Sequence, residues 1–505
     1  MKYTFSYNNA HRHFLNIKIE FKVQSNSNVI IQLPSWRPGR YELGDFAKNI
    51  KDFVIVDKKN EELNFSKKTK DSWIVDTASN DIIIVSYLYF SNKLDAGSTF
   101  LDEEQLYINP INCCAFIPQQ INDSCTVFFD IPEDYKIFTS LKAKADREFL
   151  ANDFHELVDS PIFSSNSIQH NSYNSNGITF HICFQGNIII PWEKLIADFK
   201  KFTDYQINKY KSFPIKEYYF LFQITTYPSY HGVEHCKSTV LLLGPNYEVF
   251  NEKYDNLLGI SSHELYHTWN VKHIRPKDMF PYDYTKENYT KLGYITEGVT
   301  TYMGDRMLYE SKVFSKKQYC KELETLLTRH FYNDGRKHYS VSESSFDTWL
   351  DGYVKGVAGR KVSIYVEGAL IALICDARIR KSSNNIKTLH NVMTRLYSGS
   401  NEISSYDEDL YKQYLEEESG VSFDDIFDNL IYGKADFTPY LNEAFLEFGL
   451  KINVKENNKH SFRYGFICSW TNNKCEINNV LEDSSAYKSG LVEMDKIIAI
   501  NGVSL

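Results

Sequence analysis

The segment Ser262-His263-Glu264-Leu265-Tyr266-His267 constrains what this chain can fold into more than any other feature of the sequence. Its two histidines lie four residues apart, and on an α-helix this spacing puts both rings on one face, about one turn apart. Both rings can then bind one Zn²⁺ ion, while Glu264 can accept a proton from a water molecule at the ion. The segment therefore predicts a helix in the wall of a catalytic metal site.

A catalytic zinc ion usually takes three protein ligands, so a third ligand must come from another part of the chain. Glu297 is the candidate, because it lies in a second predicted helix, 294–303, after prolines at which the chain can turn back. The alternatives are a surface helix with two histidines and a glutamate that only stabilises the start of its helix. A structural zinc finger is disfavoured, because no Cys-x-x-Cys pair lies near the histidines.

The residues around this motif resemble those of a known family. Residues 263–276, followed by Thr296-Glu297-Gly298, are similar to the PDZ-containing glycyl aminopeptidases, which are gluzincin zinc metallopeptidases. The resemblance implies one zinc ion per chain, bound by His263, His267 and Glu297, with Glu264 as the general base. It also implies removal of N-terminal residues from peptides, with a preference for glycine or alanine.

Upstream of the motif, His231-Gly232-Val233-Glu234-His235 is similar to the family's Gly-Gly-Leu-Glu-His segment. The resemblance places His231, Gly232 and Glu234 at the substrate, with His231 replacing a glycine next to the first specificity pocket. An exopeptidase needs an anion for the free ammonium group of its substrate, and Glu234 would supply it. The alternative is a glutamate at a strand edge that faces solvent.

Downstream, residues 362–373 are similar to a family block in which a tyrosine precedes an apolar helix. The resemblance assigns to Tyr365 the stabilisation of the tetrahedral intermediate, because a neutral phenol can donate to a developing oxyanion. Glu367 stands where the family has lysine, so we expect an altered charge near Tyr365. The alternative for Tyr365 is simple packing, since the chain contains 36 tyrosines.

The distribution of apolar residues predicts a multidomain α+β fold. Alternation of apolar and polar residues over 1–160 indicates an N-terminal β domain, and the polar segment 161–178 indicates a linker. Residues 179–452 are predicted to form the zinc metallopeptidase catalytic domain, a thermolysin-like mixture of strands and helices whose C-terminal part is helical. Residues 455–505 resemble a PDZ domain that stops before its last helix, so we expect a partial, truncated PDZ-like β domain.

Two arginines and a cysteine lie in segments next to the predicted site. Arg37 and Arg40 belong to segment 33–41, which resembles the opening of the family's N-terminal domain, and we predict that both lie on the surface. Cys236 follows the Glu234 segment, and we predict that it is a small buried side chain and not a reactive thiol.

Composition disfavours several classes of partner. The net charge is −9 and no basic cluster stands out, which disfavours nucleic acid and a polybasic membrane anchor. No apolar run of about 18 residues occurs, and residues 1–9 lack the apolar core of a signal peptide. The nine cysteines do not form a disulfide pattern. We therefore expect a cytoplasmic protein without a membrane partner.

Taken together, these patterns predict a zinc aminopeptidase that hydrolyses the N-terminal bond of peptides with a free amino terminus. Two alternatives stay open. The first is a catalytically inactive or scaffold homologue. The second is a zinc endopeptidase or a hydrolase of a non-peptide substrate, in which Glu234 would not bind an amine. The PDZ-like tail is a candidate to contact protein segments or the catalytic domain.

Overall fold

The computed structural model confirms the multidomain α+β architecture. It describes residues 1–23, 28–77, 82–354, 356–357, 359–397, 402–454, 463–471 and 474–504. The N-terminal part is a β domain, the middle of the chain combines a five-stranded sheet with many helices, and the C-terminal part is a small β module. Among the described residues, no helix has both the length and the apolar character needed to cross a membrane.

The N-terminal domain consists mainly of short strands. These are β1 (Lys2–Ser6), β2 (Phe14–Lys22), β3 (Val29–Gln32), β4 (Ile50–Asp57), β5 (Phe65–Thr69), β6 (Ser72–Val75), β7 (Ile82–Phe90), β8 (Phe100–Leu101), β9 (Leu106–Ile108), β10 (Cys125–Asp130), β11 (Lys136–Thr139), β12 (Lys142–Ala145), β13 (Glu148–Ala151) and β14 (Ile162–Ser165), with helices α1 (Pro110–Cys113) and α2 (Phe154–Val158). The main sheet has seven strands in the order β12-β13-β10-β1-β2-β7-β4. The alternation predicted for β2 is present, with Leu15, Ile17 and Ile19 buried.

The catalytic domain begins with a five-stranded sheet. Its strands are β15 (Gln169–Ser175), β16 (Ile178–Gln185), β17 (Glu217–Ile224), β18 (Ser229–Glu234) and β19 (Ser238–Gly244), in the order β15-β16-β17-β19-β18. β16, β17 and β19 run parallel, and β19 is buried along its whole length, as its continuous apolar sequence requires. β18 pairs antiparallel with β19 at the end of the sheet, so its outer edge has no partner among the described strands.

Residues 161–178 do not form the loop that their polar sequence suggested. β14 belongs to a sheet of the N-terminal domain, and β15 pairs with β16 in the sheet of the catalytic domain. The serine and asparagine side chains of β15 are compatible with this edge position because alternate residues remain partly exposed. The domain junction that we place within 161–178 stays a prediction.

Helices follow the sheet, as predicted for the C-terminal part of the catalytic domain. They are α3 (Trp192–Tyr210), which precedes β17, α4 (Asn246–Val249), α5 (Tyr254–Tyr266), α6 (Thr300–Glu310), α7 (Lys316–Phe331), α8 (Val341–Phe346), α9 (Thr348–Asp351), α10 (Ile364–Ser382), α11 (Leu389–Leu396), α12 (Glu408–Ser419), α13 (Asp424–Ile426) and α14 (Thr438–Glu447), with π-helical segments Tyr294–Val299 and Phe427–Ile431 and strands β20 (Ile274–Pro276) and β21 (Ser404–Tyr406). α10 is buried over most of its circumference, which explains its nearly continuous apolar sequence.

The C-terminal module lies against the catalytic domain. It contains β22 (Phe466–Thr471), β23 (Lys474–Val480), β24 (Lys496–Ile497), β25 (Ala499–Ile500), β26 (Val503–Ser504) and α15 (Ser485–Lys488). The Asn479 side chain donates to the carbonyl oxygen of Tyr332 at 2.5 Å, and the Glu482 backbone N–H donates to Asp334 Oδ2 at 2.6 Å. The tail therefore contacts the region that follows α7.

The segment Tyr294–Val299 and α10 cross at two glycines. A Cβ on Gly298 would overlap the backbone of Gly368, and a Cβ on Gly368 would lie 2.8 Å from the Cα of Gly298. The two helical backbones are thus in direct contact, which only residues without a side chain permit. Because Glu297 precedes Gly298 and Tyr365 lies at the start of α10, this crossing brings two predicted site residues together.

Replacing Gly298 by alanine should disturb this crossing, since the added methyl group has no space and overpacking costs about 1–3 kcal/mol. We expect a lower melting temperature in thermal unfolding followed by circular dichroism. Gly259→Ala is the matched control, because a Cβ on this helical glycine would meet only Asp305 Oδ1, at 3.9 Å. An unchanged melting temperature in Gly298→Ala would contradict the close contact.

Candidate metal centre and active site

The three predicted metal ligands meet at one point. His263 and His267 lie at the C-terminal end of α5, and Glu297 lies in the π-helical segment. The two histidine Nε2 atoms are 3.0 Å apart, and Glu297 Oε2 lies 3.4 Å from Nε2 of His267 and 3.9 Å from Nε2 of His263. Ligand atoms held about 2.1 Å from a tetrahedral ion are about 3.4 Å apart, so this donor set suits a zinc-sized cation.

The orientation of His267 is set by the loop that follows α5. His267 Nδ1 lies 2.6 Å from the carbonyl oxygen of Asn270, and a proton on Nδ1 leaves Nε2 free to bind a metal. The side-chain amide of Asn270 donates to the carbonyl oxygen of Ile295 at 2.9 Å. One asparagine therefore orients a histidine ligand and ties its loop to the segment that carries Glu297.

Glu264 faces the edge strand at Gly232. A Cβ on Gly232 would collide with Oε1 of Glu264, so glycine here leaves room for the carboxylate in its observed position. Oε2 of Glu264 is buried without a hydrogen-bond partner among the described residues. Burial raises the pKa of Glu264 to about 8, with Glu234 and Glu297 adding to the shift. A cation bound nearby would lower that pKa and favour the carboxylate.

Glu234 lies at the end of β18 and is only 6% exposed. Its carboxylate packs against the N-terminal domain at Gly39, where a Cβ would collide with both carboxylate oxygens. The alternative of a strand-edge glutamate that faces solvent is therefore wrong. A buried anion at the end of an open edge strand is suited to bind a cationic group of a ligand.

Tyr365 lies beside the ligand cluster at the start of α10. Its ring centre is 6.5 Å from that of His263. Burial, with a further contribution from Glu297, raises the pKa of Tyr365 well above its ordinary value, so its phenol stays protonated and can donate. The position is therefore compatible with the oxyanion role that the sequence suggested.

A loop of the N-terminal domain closes one side of the site. The Tyr41 hydroxyl donates to Glu297 Oε1 at 3.3 Å. Arg37 is 5% exposed, and its guanidinium lies 3.5 Å from Nε2 of His231, so the predicted surface position of Arg37 is wrong. Arg40 is half-buried, with its guanidinium 4.4 Å above the ring of Tyr353. Both arginines are covered because the loop lies between the two domains.

The sequence of this chain matches three protein-family models. Residues 2–166 match the model of the peptidase M61 N-terminal domain, residues 256–371 match that of the M61 glycyl aminopeptidase, and residues 446–505 match that of the PDZ domain. The chain belongs to the M61 peptidase family. It is therefore a metallopeptidase, with a PDZ domain at the C-terminal end of the M61 domains.

Solved structures share the fold of this M61 peptidase. A protein described as a member of the aminopeptidase N family, from Idiomarina loihiensis, is 26% identical with a TM-score of 0.92, over 100% of this chain and 89% of that chain. An M1 zinc metallopeptidase from Deinococcus radiodurans is 9% identical with a TM-score of 0.50, over 86% of this chain and 94% of that chain. A mutant M1 zinc metallopeptidase from the same organism, bound to a Tyr-Ser-Ala substrate, is 10% identical with a TM-score of 0.51 over the same shares. A comparison with curated proteins finds no match.

His231 and Glu367 are the two residues that differ from the M61 pattern described above. In the structure, each contacts another side chain. Burial, together with Arg37, lowers the pKa of His231 to about 4, so this imidazole is neutral at neutral pH. Glu367 accepts from Nδ1 of His330 at 2.8 Å, and both side chains are fully buried. The Glu367 carboxylate, which we expected to alter the charge near Tyr365, therefore forms a hydrogen bond with a histidine of α7.

An aspartate of the N-terminal domain holds the turn that follows Glu234. Asp159 accepts from the Cys236 backbone N–H at 2.8 Å, from Lys272 Nζ at 2.9 Å and from His235 Nδ1 at 3.1 Å. Lys272 and His235 lie in the two segments that carry the M61 resemblance, but the sequence does not reveal their common partner. Asp159 therefore connects the N-terminal domain to both walls of the site.

Cys236 is partly exposed, so its predicted burial is wrong. Desolvation by the surrounding protein nevertheless raises the pKa of its thiol to about 12, and its Sγ lies 3.8 Å from Nε2 of His273. A thiol with so high a pKa is protonated at neutral pH and is a poor nucleophile.

Asp159→Asn should destabilise the protein strongly, because Lys272 is 3% exposed and an unpaired buried ammonium group costs about 3–5 kcal/mol. Burial acts to raise the pKa of Asp159, but Lys272, His235 and the Cys236 backbone N–H together outweigh it, and the pKa falls below its ordinary value. The stabilisation is therefore fully present at neutral pH and is lost as the pH falls below about 3.9 and through the lower pKa of the folded state. Thermal unfolding against pH measures this difference.

The control for Asp159→Asn is Glu443→Gln, which removes an exposed ion pair with Lys381. We expect its melting temperature to match the parent value, since exposed pairs contribute little. Equal unfolding temperatures of Asp159→Asn and the parent chain at neutral pH would contradict the role of Asp159.

Proposed function

We propose that this M61 metallopeptidase is a zinc aminopeptidase that removes N-terminal residues from peptides and prefers glycine or alanine. The observation that carries the proposal is the convergence of His263, His267 and Glu297 near Glu234, a buried anion at the end of an open edge strand. The preference for small residues is supported by the match to the M61 glycyl aminopeptidase model.

The proposed mechanism needs four groups at the site, namely the set of metal ligands, Glu264, Tyr365 and Glu234. His263, His267 and Glu297 would hold one zinc ion per chain, which would supply a Lewis acid and lower the pKa of a water molecule to about 7. Glu264 accepts a proton from the attacking water and returns it to the leaving amine. Tyr365 donates a hydrogen bond to the substrate oxygen as negative charge develops there.

Glu234 is proposed to bind the substrate's ammonium group, with the peptide added to the sheet along β18. The backbone groups on the free edge of β18 can pair with an extended peptide, which would run antiparallel to the strand. The absence of a side chain at Gly232 lets the Glu264 carboxylate lie directly against the strand. The substrate then extends from Glu234 towards Ser229, with its scissile bond near Glu264.

The region beyond Glu234 favours an exopeptidase over an endopeptidase. The carboxylate abuts Gly39, and the turn that follows is held by Asp159. An endopeptidase substrate would need space for further residues at this end of the strand, which the N-terminal domain fills. The scaffold alternative is disfavoured because all four groups of the mechanism lie at one site.

Glu264→Gln separates a catalyst from a scaffold. We expect about one zinc ion per chain in both the parent protein and the variant, because Glu264 is not a ligand in this proposal. Hydrolysis of glycyl and alanyl chromogenic substrates should be lost in the variant only, since an amide cannot accept the proton. Metal analysis and turnover of the same samples measure both quantities. Retained hydrolysis in Glu264→Gln would remove the assignment of the general base, and an inactive but zinc-loaded parent would favour the scaffold.

Acetylation of the substrate's N-terminus tests the role of Glu234. The parent protein should hydrolyse a free glycyl substrate and leave its N-acetyl form intact, because the acetylated amine carries no charge. Glu234→Gln should raise KM for the free substrate by roughly 10- to 100-fold, the value of one charge-assisted hydrogen bond. Glu217→Gln, at an exposed position on β17 of the same sheet, is the control and should leave KM unchanged. Hydrolysis of the acetylated substrate would favour the endopeptidase alternative.

A further inference from the structure

Tyr41 contacts the ligand cluster although it belongs to the N-terminal domain. Its hydroxyl donates to Oε1 of Glu297 at 3.3 Å, across 256 residues of sequence. The other oxygen of this carboxylate, Oε2, is the atom that lies 3.4 Å from His267 Nε2 and 3.9 Å from His263 Nε2. The two oxygens of Glu297 therefore have different partners, one a phenol and the other the histidine pair.

We propose that Tyr41 is a positioning residue that holds Glu297 as a ligand through one oxygen only. A carboxylate can bind a metal through one oxygen or both, and a hydrogen bond to one of them favours the one-oxygen mode. A single-oxygen ligand leaves a coordination position for water, which a catalytic site requires. The inference rests on the metal site proposed above and does not depend on which peptide is cleaved.

The surroundings of Tyr41 fix its hydroxyl in place. The residue is 4% exposed, and its ring meets that of Trp349 edge to face with the centres 5.9 Å apart. Trp349 in turn meets Trp36 at 5.1 Å. The indole N–H of Trp36 donates to the carbonyl oxygen of Asp283 at 2.7 Å, in the catalytic domain. An anchored ring of this kind can hold a hydroxyl to within a fraction of an ångström, as a supporting residue must.

A different reading of the same contact is that Glu297 merely satisfies a buried phenol. The two readings predict different results when the hydroxyl is removed. If Tyr41 positions the ligand, the affinity and the coordination geometry of the metal change. If the contact only satisfies Tyr41, both stay as they are, because the metal does not depend on that hydrogen bond.

Tyr41→Phe in the full chain tests the inference, since it keeps the ring and removes the hydroxyl. We expect the dissociation constant for zinc, measured by competition with a chelator, to rise about 10- to 100-fold. With cobalt(II) in place of zinc, we expect weaker visible absorption bands, because a second carboxylate oxygen raises the coordination number above four. Neither measurement involves peptide hydrolysis, so a failure of the proposed aminopeptidase activity would be seen separately.

Tyr282→Phe is the matched control. Its ring also packs against Trp36, with the centres 5.5 Å apart, and the change again removes one hydroxyl from this aromatic cluster. We expect parent-like zinc affinity and an unchanged cobalt spectrum. Parent-like values in Tyr41→Phe would overturn the inference. An equal loss in both variants would also overturn it, because the loss would then come from packing of the cluster.

Discussion

The direct backbone contact between Gly298 and Gly368 is the constraint on which the geometry of the site depends. It brings the segment that carries Glu297 against the helix that begins near Tyr365. Gly304 makes a second close approach on the other side, where an added Cβ would lie 3.0 Å from the Cα of His263. The segment with Glu297 and its continuation in α6 therefore pack between α5, which carries His263, and α10, which carries Tyr365. Close-packed backbones deform little, so the ligand atoms are held a few ångströms apart before any metal binds.

The N-terminal domain contributes residues to the proposed active site and is not merely attached to it. Tyr41 donates to the acidic ligand, Gly39 abuts the carboxylate of Glu234, and Asp159 holds the turn after Glu234. Each contact joins residues far apart in the chain, so each forms only when the two domains dock. Correct assembly of the proposed metal centre and of the proposed amine site is therefore coupled to the folding of both domains.

Three buried carboxylates, those of Glu234, Glu264 and Glu297, face one small region. Such a cluster is unfavourable by itself, because each anion loses its hydration and repels the others. Lys272 and Arg37 offset part of this negative charge at Glu234 and Glu264. The proposed zinc ion and a free amino terminus would offset more of it, whereas a blocked amino terminus would contribute no positive charge.

The sequence by itself determined the short-range features of this protein. Four-residue spacing on a helix puts His263 and His267 on one face wherever the helix lies, and two-residue alternation determines the buried face of β2. Glu297 could be recognised from the motif that surrounds it. Only the tertiary structure decided that Arg37 is buried, that Glu367 pairs with His330 and that Tyr41 reaches Glu297. The physical reason is that these contacts join residues far apart in the sequence, and their geometry is set by helix packing and domain docking, which leave no local periodic signal.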